Sequence, residues 1–167
     1  MNPNIGSLIS QYREKGILID TNLLLVLLVG NVQPRLIGRT ARTDGYSIED
    51  YEHITDILSH FNRFITMPQI LTETGNLLKR NCPNENTRLD LNREFAIFVH
   101  LGLTREVRKL SRRVTIHPKF SNLGYADAAI LTVAAGKYLL LTADEPLQNF
   151  AGALGVDVLP FQWLRAM

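Results

Sequence analysis

The chain has 167 residues, of which 46% are hydrophobic and 20% are charged, and its formal net charge is +2. This length is typical of one domain over residues 1–167, and the composition excludes an intrinsically disordered chain. Because the charge is nearly balanced, a surface that binds nucleic acid requires clustered cations rather than a large net charge.

Three features of the sequence indicate the cellular compartment of the protein. The single cysteine, Cys82, cannot form an internal disulfide, which is typical of a reducing compartment. The longest apolar stretch, 17–29, is interrupted by three polar residues and is too short and too polar to span a bilayer. The first residues lack the basic-then-apolar pattern of a secretory signal. We therefore expect a cytoplasmic protein that does not enter a membrane.

The first predicted elements are a helix and a strand. Residues 7–15 form an amphipathic pattern that stops at Gly16, which predicts a short helix within an N-terminal extension over 1–15. The next three residues are apolar and end on Asp20. A continuous apolar run after a glycine predicts a strand that is buried on both faces, as in a parallel sheet.

A leucine-rich run follows the first strand after a two-residue turn. Residues 23–29 predict a helix that is buried nearly all round, with Asn22 as its N-cap. In the alternative interpretation, Asp20 caps this helix together with its two neighbours. Residues 30–47 contain a proline, several glycines and three arginines, which predicts a surface loop.

The middle of the chain carries clear helix starts. Ser47 and Asp50 have the spacing of a capping box, which predicts a helix over 48–61. Residues 64–67 predict a second strand, and the proline that follows suits the first position of a helix over 68–80.

The rest of the chain continues the alternation of helices and strands. The predicted elements are helices over 85–101, 104–113 and 123–136, a strand over 138–142, a helix over 144–154 and a strand over 156–159, with residues 114–123 irregular. Strands that alternate with helices predict an α/β fold, a three-layer sandwich in which helices flank a central parallel sheet.

Two acids follow buried strands. Asp20 ends the first strand, and Asp144 lies two residues after the strand over 138–142. In open α/β sheets, ligands bind at the carboxyl ends of the strands. The alternative interpretation of each acid is a helix N-cap.

A third acid lies where an apolar residue is expected. At 100° per residue, Ile130, Leu131 and Ala134 bracket Asp127 on one helical face. An unpaired carboxylate in an apolar face costs several kcal/mol (order of magnitude) unless another group compensates it. The alternatives are a buried pair with an arginine and the cap of a turn.

Glu73 is the fourth acid, at the flank of an apolar helix face, and the alternative for it is a rim position. The strands of a parallel sheet end at one edge, so carboxylates there repel and raise one another's pKa values. A hard divalent cation removes this repulsion, and carboxylate ligands suit Mg²⁺ or Mn²⁺. The four histidines are scattered, which argues against zinc.

The four acids, in this order, resemble the PIN-domain family of metal-dependent ribonucleases. The resemblance covers residues 16 to about 160, and its motifs are 17–22, 68–74, 124–131 and 139–144. It implies a parallel sheet with an acidic pocket at the strand ends. It also implies that Asp20, Glu73, Asp127 and Asp144 serve as catalytic metal ligands or support them. Asn22 and Thr142 would orient the carboxylates or a water molecule.

The resemblance implies a function as well. One or two Mg²⁺ or Mn²⁺ ions would lower the pKa of an attacking water, hold the scissile phosphate of RNA and stabilise the leaving oxygen. Many small members of the family are toxins of toxin–antitoxin pairs, so it implies a homodimer and an antitoxin protein as partners. The N-terminal extension and the long loop over 30–47 depart from the compact toxin pattern.

Basic residues are spaced at helical intervals in the segment 104–113. If this segment is a helix, one continuous basic stripe is formed by Arg105, Arg108, Lys109, Arg112 and Arg113. Such a stripe would bind an RNA backbone without sequence preference. The alternatives are a solvated face and a patch for an acidic partner. A weaker second candidate is the arginine trio of the loop, Arg35, Arg39 and Arg42.

Two other functions compete with a ribonuclease. A haloacid-dehalogenase-type phosphatase also uses an aspartate after its first strand, but it needs a second aspartate two residues later, where this chain has Asn22. The non-enzymatic alternative is a PIN-like module that binds RNA or a protein without cutting. The presence of all four acids favours a ribonuclease over a binding module.

Overall fold

The computed structural model describes residues 3–39, 42–80, 82–117 and 120–166. In this part of the chain, five short strands form one parallel sheet with the order β3-β2-β1-β4-β5. The strands are β1 (Ile17–Ile19), β2 (Phe64–Thr66), β3 (Thr104–Glu106), β4 (Leu139–Thr142) and β5 (Val158–Pro160). The predicted parallel sheet is therefore confirmed, with β1 at its centre.

Helices flank the sheet, and the predicted α/β three-layer sandwich is confirmed. The helices in the described ranges are α1 (Pro3–Tyr12), α2 (Thr21–Val32), α3 (Ile48–Ser59), α4 (Pro68–Arg80), α5 (Glu85–His100), α6 (Ser111–Thr115), α7 (Phe120–Ala134), α8 (Glu145–Ala153) and α9 (Phe161–Arg165). Helix α2 packs against α3, α4 and α5, whereas α7 packs against α6 and α8. Among these helices none has the length and apolar character needed to cross a membrane.

The core is centred on β1, β4 and α2. Every residue of β1 and β4 is buried, because helices cover both faces of a parallel sheet. Helix α2 is buried nearly all round, as predicted, and at Gly30 the ring of Tyr51 lies against its backbone. A Cβ at Gly30 would lie 2.2 Å from a carbon of that ring, so only glycine fits there.

The start of α2 differs from the prediction. The N-cap is Asp20 rather than Asn22, and no turn separates β1 from the helix. The carboxylate of Asp20 accepts a hydrogen bond from the backbone N–H of Leu23 at 2.8 Å, which satisfies one of the free donors of the first helical turn.

The predicted helix over 104–113 is wrong. Its first three residues form β3, which pairs with β2 in the register Phe64 to Thr104, and a helix begins only at Ser111. An open strand edge on β2 leaves backbone groups that another strand can satisfy, and this pairing outweighs the local helical pattern. Helix α9 was not predicted.

Two other predicted segments are more structured than expected. Helix α1 starts before residue 7 and buries Ile5, Leu8 and Tyr12. In the segment 30–47, the first residues complete α2, a 3₁₀ turn covers Pro34–Leu36, and Thr43 is buried. Residues 40–41 of that loop, and residues 118–119 of the segment predicted as irregular, lie outside the described residues.

Candidate active site

A cavity of about 200 Å³ opens at the carboxyl ends of the strands. All four predicted acids line it: Asp20 follows β1, Asp144 follows β4, Glu73 lies on α4 and Asp127 lies on α7. The other lining residues are Thr21, Asn22, Arg42, Ala126, Ile130 and Leu147. The structure thus brings together four acids that are distant in the sequence.

Asp20 is the buried member of the set, with 5% of its surface exposed. One carboxylate oxygen, Oδ1, caps α2, and the other, Oδ2, accepts hydrogen bonds from the Thr142 hydroxyl and from the Ala143 N–H at 3.2 Å. Burial raises the pKa of Asp20 above its usual value, and these hydrogen bonds oppose the increase. The carboxylate therefore links the end of β4 to the start of α2.

Thr142 holds two of the acids in place. Its hydroxyl donates to Asp20 and accepts a hydrogen bond from the Asp144 backbone N–H at 3.0 Å. The hydroxyl is buried at the end of β4, so it fixes the Asp20 carboxylate relative to the backbone of Asp144. This is the supporting position that the sequence predicted for Thr142.

Asp144 is both a helix N-cap and an acid of the cavity, the two interpretations that the sequence left open. Its carboxylate oxygen Oδ1 accepts a hydrogen bond from the Leu147 N–H at 2.7 Å, so Asp144 is the N-cap of α8. The residue is nevertheless exposed and lines the acidic cavity. A helix cap and a cavity acid are therefore compatible here.

Asp127 lies on α7 just after a break in that helix. Gly124 has φ 77° and ψ −178°, so Asp127 belongs to the first turn of the helical segment that follows. It is half-buried rather than enclosed in the middle of an apolar face, which corrects the prediction. Ile130, one turn later, is its apolar neighbour in the cavity wall.

No described residue forms a hydrogen bond or an ion pair with the carboxylate of Asp127. Burial, together with the negative charges of Asp144, Glu73 and Asp20, raises the pKa of Asp127 to about 6. The alternative in which an arginine pairs with Asp127 therefore finds no support in the described part of the chain.

Glu73 is exposed and is fixed by one contact across the cavity. The Thr21 hydroxyl donates a hydrogen bond to Glu73 Oε2 at 3.1 Å, which connects the start of α2 to α4. Asn22 is half-buried and also lines the cavity. The acids thus come from four separate elements, and three of them, Asp20, Asp144 and Glu73, are held by hydrogen bonds to neighbouring residues.

Two lining residues were not predicted as part of this site. Thr21 directly follows Asp20, so its position next to a predicted site residue could have identified it. Arg42 was expected only as part of a basic loop; in the structure it has a φ of 69° and lines the acidic cavity. The loop therefore reaches the site from outside the sheet.

The predicted basic stripe does not exist as a single helical face. Arg105 lies on β3, Arg108 and Lys109 follow that strand, and Arg112 and Arg113 lie on α6. The guanidinium of Arg108 pairs with Glu106 at 2.6 Å. A separate cavity of about 470 Å³ is lined by Lys109 and Arg113 among mostly apolar residues. These cations are thus divided between different surfaces.

The donor type of the acidic cavity fits a hard divalent cation, because carboxylate oxygens are the ligands that Mg²⁺ and Mn²⁺ prefer. In the described ranges, however, no three His, Cys, Asp or Glu side chains are gathered as a ready-made metal-binding group. The arrangement is a cavity with converging acids and one arginine.

Comparisons of the chain with protein-family models, with curated proteins and with solved structures find no match.

Proposed function

We propose that the protein is a metal-dependent endoribonuclease of the PIN-domain type, which hydrolyses phosphodiester bonds in RNA. The observation that supports this function best is the convergence of Asp20, Glu73, Asp127 and Asp144 on one cavity, where burial and then the negative charges of the other three acids raise the pKa of Asp127. Clustered carboxylates with a raised pKa are typical of a site that binds a cation or moves protons.

In this proposal the four acids hold Mg²⁺ or Mn²⁺. Such an ion supplies an activated water and stabilises the charge of the transition state. Glu73 and Asp144 are exposed, so their side chains have room to adjust around a cation, while Asp20 is oriented by its hydrogen bonds to the ends of α2 and β4. Glu73 and Asp144 could therefore adjust to a cation, whereas the orientation of Asp20 is fixed.

Two further groups have properties that follow from their own chemistry. The pKa of Asp127, which is about 6 without metal, would be lowered by a bound cation, because a nearby positive charge favours the charged form of a carboxylate. Arg42 lines the same cavity, and guanidinium groups bind phosphate through paired hydrogen bonds. Arg42 is therefore the proposed contact to the scissile phosphate.

The narrower form of the proposal is a cytoplasmic, homodimeric toxin that an antitoxin protein silences. It is supported by the four motifs that resemble the PIN family. The alternative is an RNA- or protein-binding module without catalytic activity, which the absence of a ready-made metal-binding group among the described residues favours.

The test is cleavage of a mixed single-stranded RNA in the presence of Mg²⁺, Mn²⁺ or EDTA. The variant is Asp127→Asn, because Asp20→Asn would also break the hydrogen bonds that join α2 to β4. We expect metal-dependent cleavage by the wild type and a loss of about 100-fold or more in the variant, the order found when a group that stabilises a transition state is removed. Asp56→Asn, an exposed acid on α3, is the matched control and should cleave normally.

A second measurement separates a missing substrate from a missing site. Millimolar Mg²⁺ or Mn²⁺ should raise the unfolding temperature of the wild type but not that of Asp127→Asn, because a ligand stabilises only the state that binds it. If neither cleavage nor a temperature shift is observed, the binding-module alternative replaces the ribonuclease. Cleavage that survives in Asp127→Asn would place the activity at another site.

A further inference from the structure

Tyr125 is the one exposed aromatic residue of the protein. All aromatic residues lie in the described part of the chain, and the others are buried or half-buried, whereas 36% of Tyr125 is exposed. A large ring in contact with solvent beside a cavity is typical of a binding surface. Tyr125 is also only two residues from Asp127.

The ring of Tyr125 is fixed in position. The break at Gly124 places Tyr125 at the start of the second part of α7. Its hydroxyl lies 2.9 Å from Ser111 Oγ on α6 and accepts a hydrogen bond from Gln69 Nε2 on α4 at 3.3 Å. Three helices therefore hold the ring, and a ligand that stacks on it need not order a mobile side chain.

A groove of about 460 Å³ lies against this ring. It is lined by Pro68, Gln69, Thr72, Glu73, Asn76, Tyr125 and Ala126. Glu73 and Ala126 line the acidic cavity as well, so the groove and the candidate active site share a wall. Whatever occupies the groove is therefore adjacent to the acids.

The lining of the groove selects among possible occupants. Two amides, one hydroxyl and one aromatic ring face it, and the charged group is Glu73 on the shared wall. Long aliphatic side chains, which would anchor an apolar protein segment, are absent from this lining. An aromatic face with nearby amides suits a nucleobase, which stacks through its π face and forms hydrogen bonds through its edge.

We propose that this groove is a nucleobase subsite for single-stranded RNA, in which a base stacks on Tyr125 while the exposed Asn76 contacts its edge. The inference deepens the proposed function, on which it rests for the identity of RNA as the ligand. A nucleotide bound in this way presents its phosphate to the acidic cavity across the wall of Glu73 and Ala126. Arg112, which is exposed and follows Ser111, is positioned to contact the RNA backbone.

The experiment measures binding rather than cleavage. Fluorescently labelled single-stranded oligo(A), oligo(C) and oligo(U) are titrated with the full-length protein in EDTA, and the dissociation constants are obtained from anisotropy. Tyr125→Ala should weaken binding of all three roughly 5- to 100-fold, the range expected for losing one base–aromatic stack. Tyr125→Phe keeps the ring and should retain most of the affinity.

Two further variants sharpen the test. Ile116→Ala removes an exposed apolar side chain, 69% exposed, from outside the groove and should leave binding unchanged. Asn76→Ala should change the ranking of the three oligonucleotides, because amide contacts to base edges discriminate whereas stacking does not. Circular dichroism and the unfolding midpoint confirm that each variant is folded.

The outcomes separate this inference from the proposed function. Binding that Tyr125→Ala weakens, with neither cleavage nor a rise of the unfolding temperature in either metal, would support the subsite and overturn the ribonuclease. Metal-dependent cleavage with Tyr125→Ala equal to wild type in affinity and KM would support the ribonuclease and overturn the subsite. If the wild type binds none of the oligonucleotides, the subsite is wrong and a protein ligand becomes the occupant to seek.

Discussion

At the level of single residues, Asp20 combines a structural role with a candidate chemical role. Its carboxylate caps α2 through the Leu23 N–H and accepts hydrogen bonds from Thr142 and Ala143 at the end of β4. An asparagine in its place would leave the Ala143 N–H without an acceptor, because an amide offers one acceptor oxygen instead of two. Lost activity in Asp20→Asn would therefore report on structure as well as on chemistry.

Asp127 provides a cleaner residue-level prediction, because no described residue forms a hydrogen bond with its carboxylate. Its pKa is raised from the ordinary 3.8 to about 6 by burial and by Asp144, Glu73 and Asp20. The folded state then binds this proton more tightly than the unfolded state, so the wild type loses stability as pH rises through this interval. Without metal, we expect Asp127→Asn to be more stable than the wild type above about pH 6.

The measurement for Asp127 is urea unfolding in EDTA at about pH 4, close to the lower end of the pKa interval, and at about pH 7.5, above its upper end. The stability advantage of Asp127→Asn should be present at the higher pH and should shrink or disappear at the lower pH. Asp56→Asn on the exposed face of α3 serves as the control. Equal pH profiles for wild type and Asp127→Asn would show that the acids do not interact.

At the level of secondary-structure elements, the break in α7 decides where two functional side chains lie. Gly124 has a φ of 77°, a left-handed value that L-residues with a Cβ rarely adopt. The residues that follow, Tyr125 and Asp127, begin a new helical segment beside the cavity. A straight helix through this position would point them in other directions.

Gly124→Ala should destabilise the protein by about 1–2 kcal/mol, the cost of a left-handed backbone for a residue with a Cβ. No atom lies within 4 Å of the Cβ position at Gly124, so the cost comes from the backbone rather than from a clash. The matched control is Gly152→Ala in α8, where the space is also open and no positive φ occurs. There alanine should stabilise by roughly 0.5–1 kcal/mol.

Urea unfolding of the two glycine variants gives the comparison. The opposite signs follow from backbone conformation alone, since both positions offer room for a methyl group. A Gly124→Ala variant as stable as the wild type would mean that α7 tolerates a straight path. Binding of oligo(U) in EDTA by the same variant would then show whether Tyr125 has kept its position.

The edge strand β3 illustrates why helical spacing alone misleads. The cations between Arg105 and Arg113 recur at helical intervals, yet Thr104–Glu106 pairs with β2. The backbone N–H of Val107 continues this pairing by donating to the Thr66 carbonyl at 2.9 Å. Because backbone pairing along a sheet edge satisfies several polar groups at once, it outweighs a weak local preference for helix.

At the level of the whole molecule, α9 attaches the last described residues to the start of α3. Arg165 donates to both carboxylate oxygens of Asp50 at 2.7 Å and to the Gly45 carbonyl at 2.8 Å. Its guanidinium also lies over the rings of Tyr46 and Phe161, at 5.4 and 5.2 Å from their centroids. Asp50 in turn completes the capping box of α3 with Ser47.

Arg165→Ala should destabilise the protein by about 1–3 kcal/mol, because Asp50 is buried and would lose its charged partner. Burial raises the pKa of Asp50, but the hydrogen bonds from Arg165 and Ser47 and the charge of Arg165 outweigh burial and lower it. The stabilisation from this pair is therefore present above the unfolded pKa of Asp50 and is lost as pH falls through the lowered folded value. Urea unfolding at neutral and acidic pH measures both effects.

Arg93→Ala is the matched control for Arg165. It removes a surface pair with Asp90, in which both side chains are more than half exposed, and such pairs contribute about 0–1 kcal/mol. An Arg165→Ala variant no less stable than Arg93→Ala would mean that α9 docks through its apolar residues, Phe161 and Leu164.

Features that depend on neighbouring residues could be predicted from the sequence. The capping box of Ser47 and Asp50, the helix that begins at Pro68 and the buried runs of β1 and β4 all follow from local hydrogen bonding, backbone restriction and hydrophobic pattern. Parallel topology then explains why Asp20 and Asp144, which end neighbouring strands, lie close together.

Features that depend on residues distant in the sequence could not be predicted and became visible only in the folded chain. Asp20 and Thr142 are 122 positions apart, Arg165 and Asp50 are 115 apart, and neither pair has a local signal. The exposure of Tyr125 depends on how α4, α6 and α7 pack together. Residues 104–106 form a strand because they pair with the free edge of β2. Contacts of this kind form because the folded chain buries its polar groups in pairs, and the sequence pattern around one partner contains no information about the other.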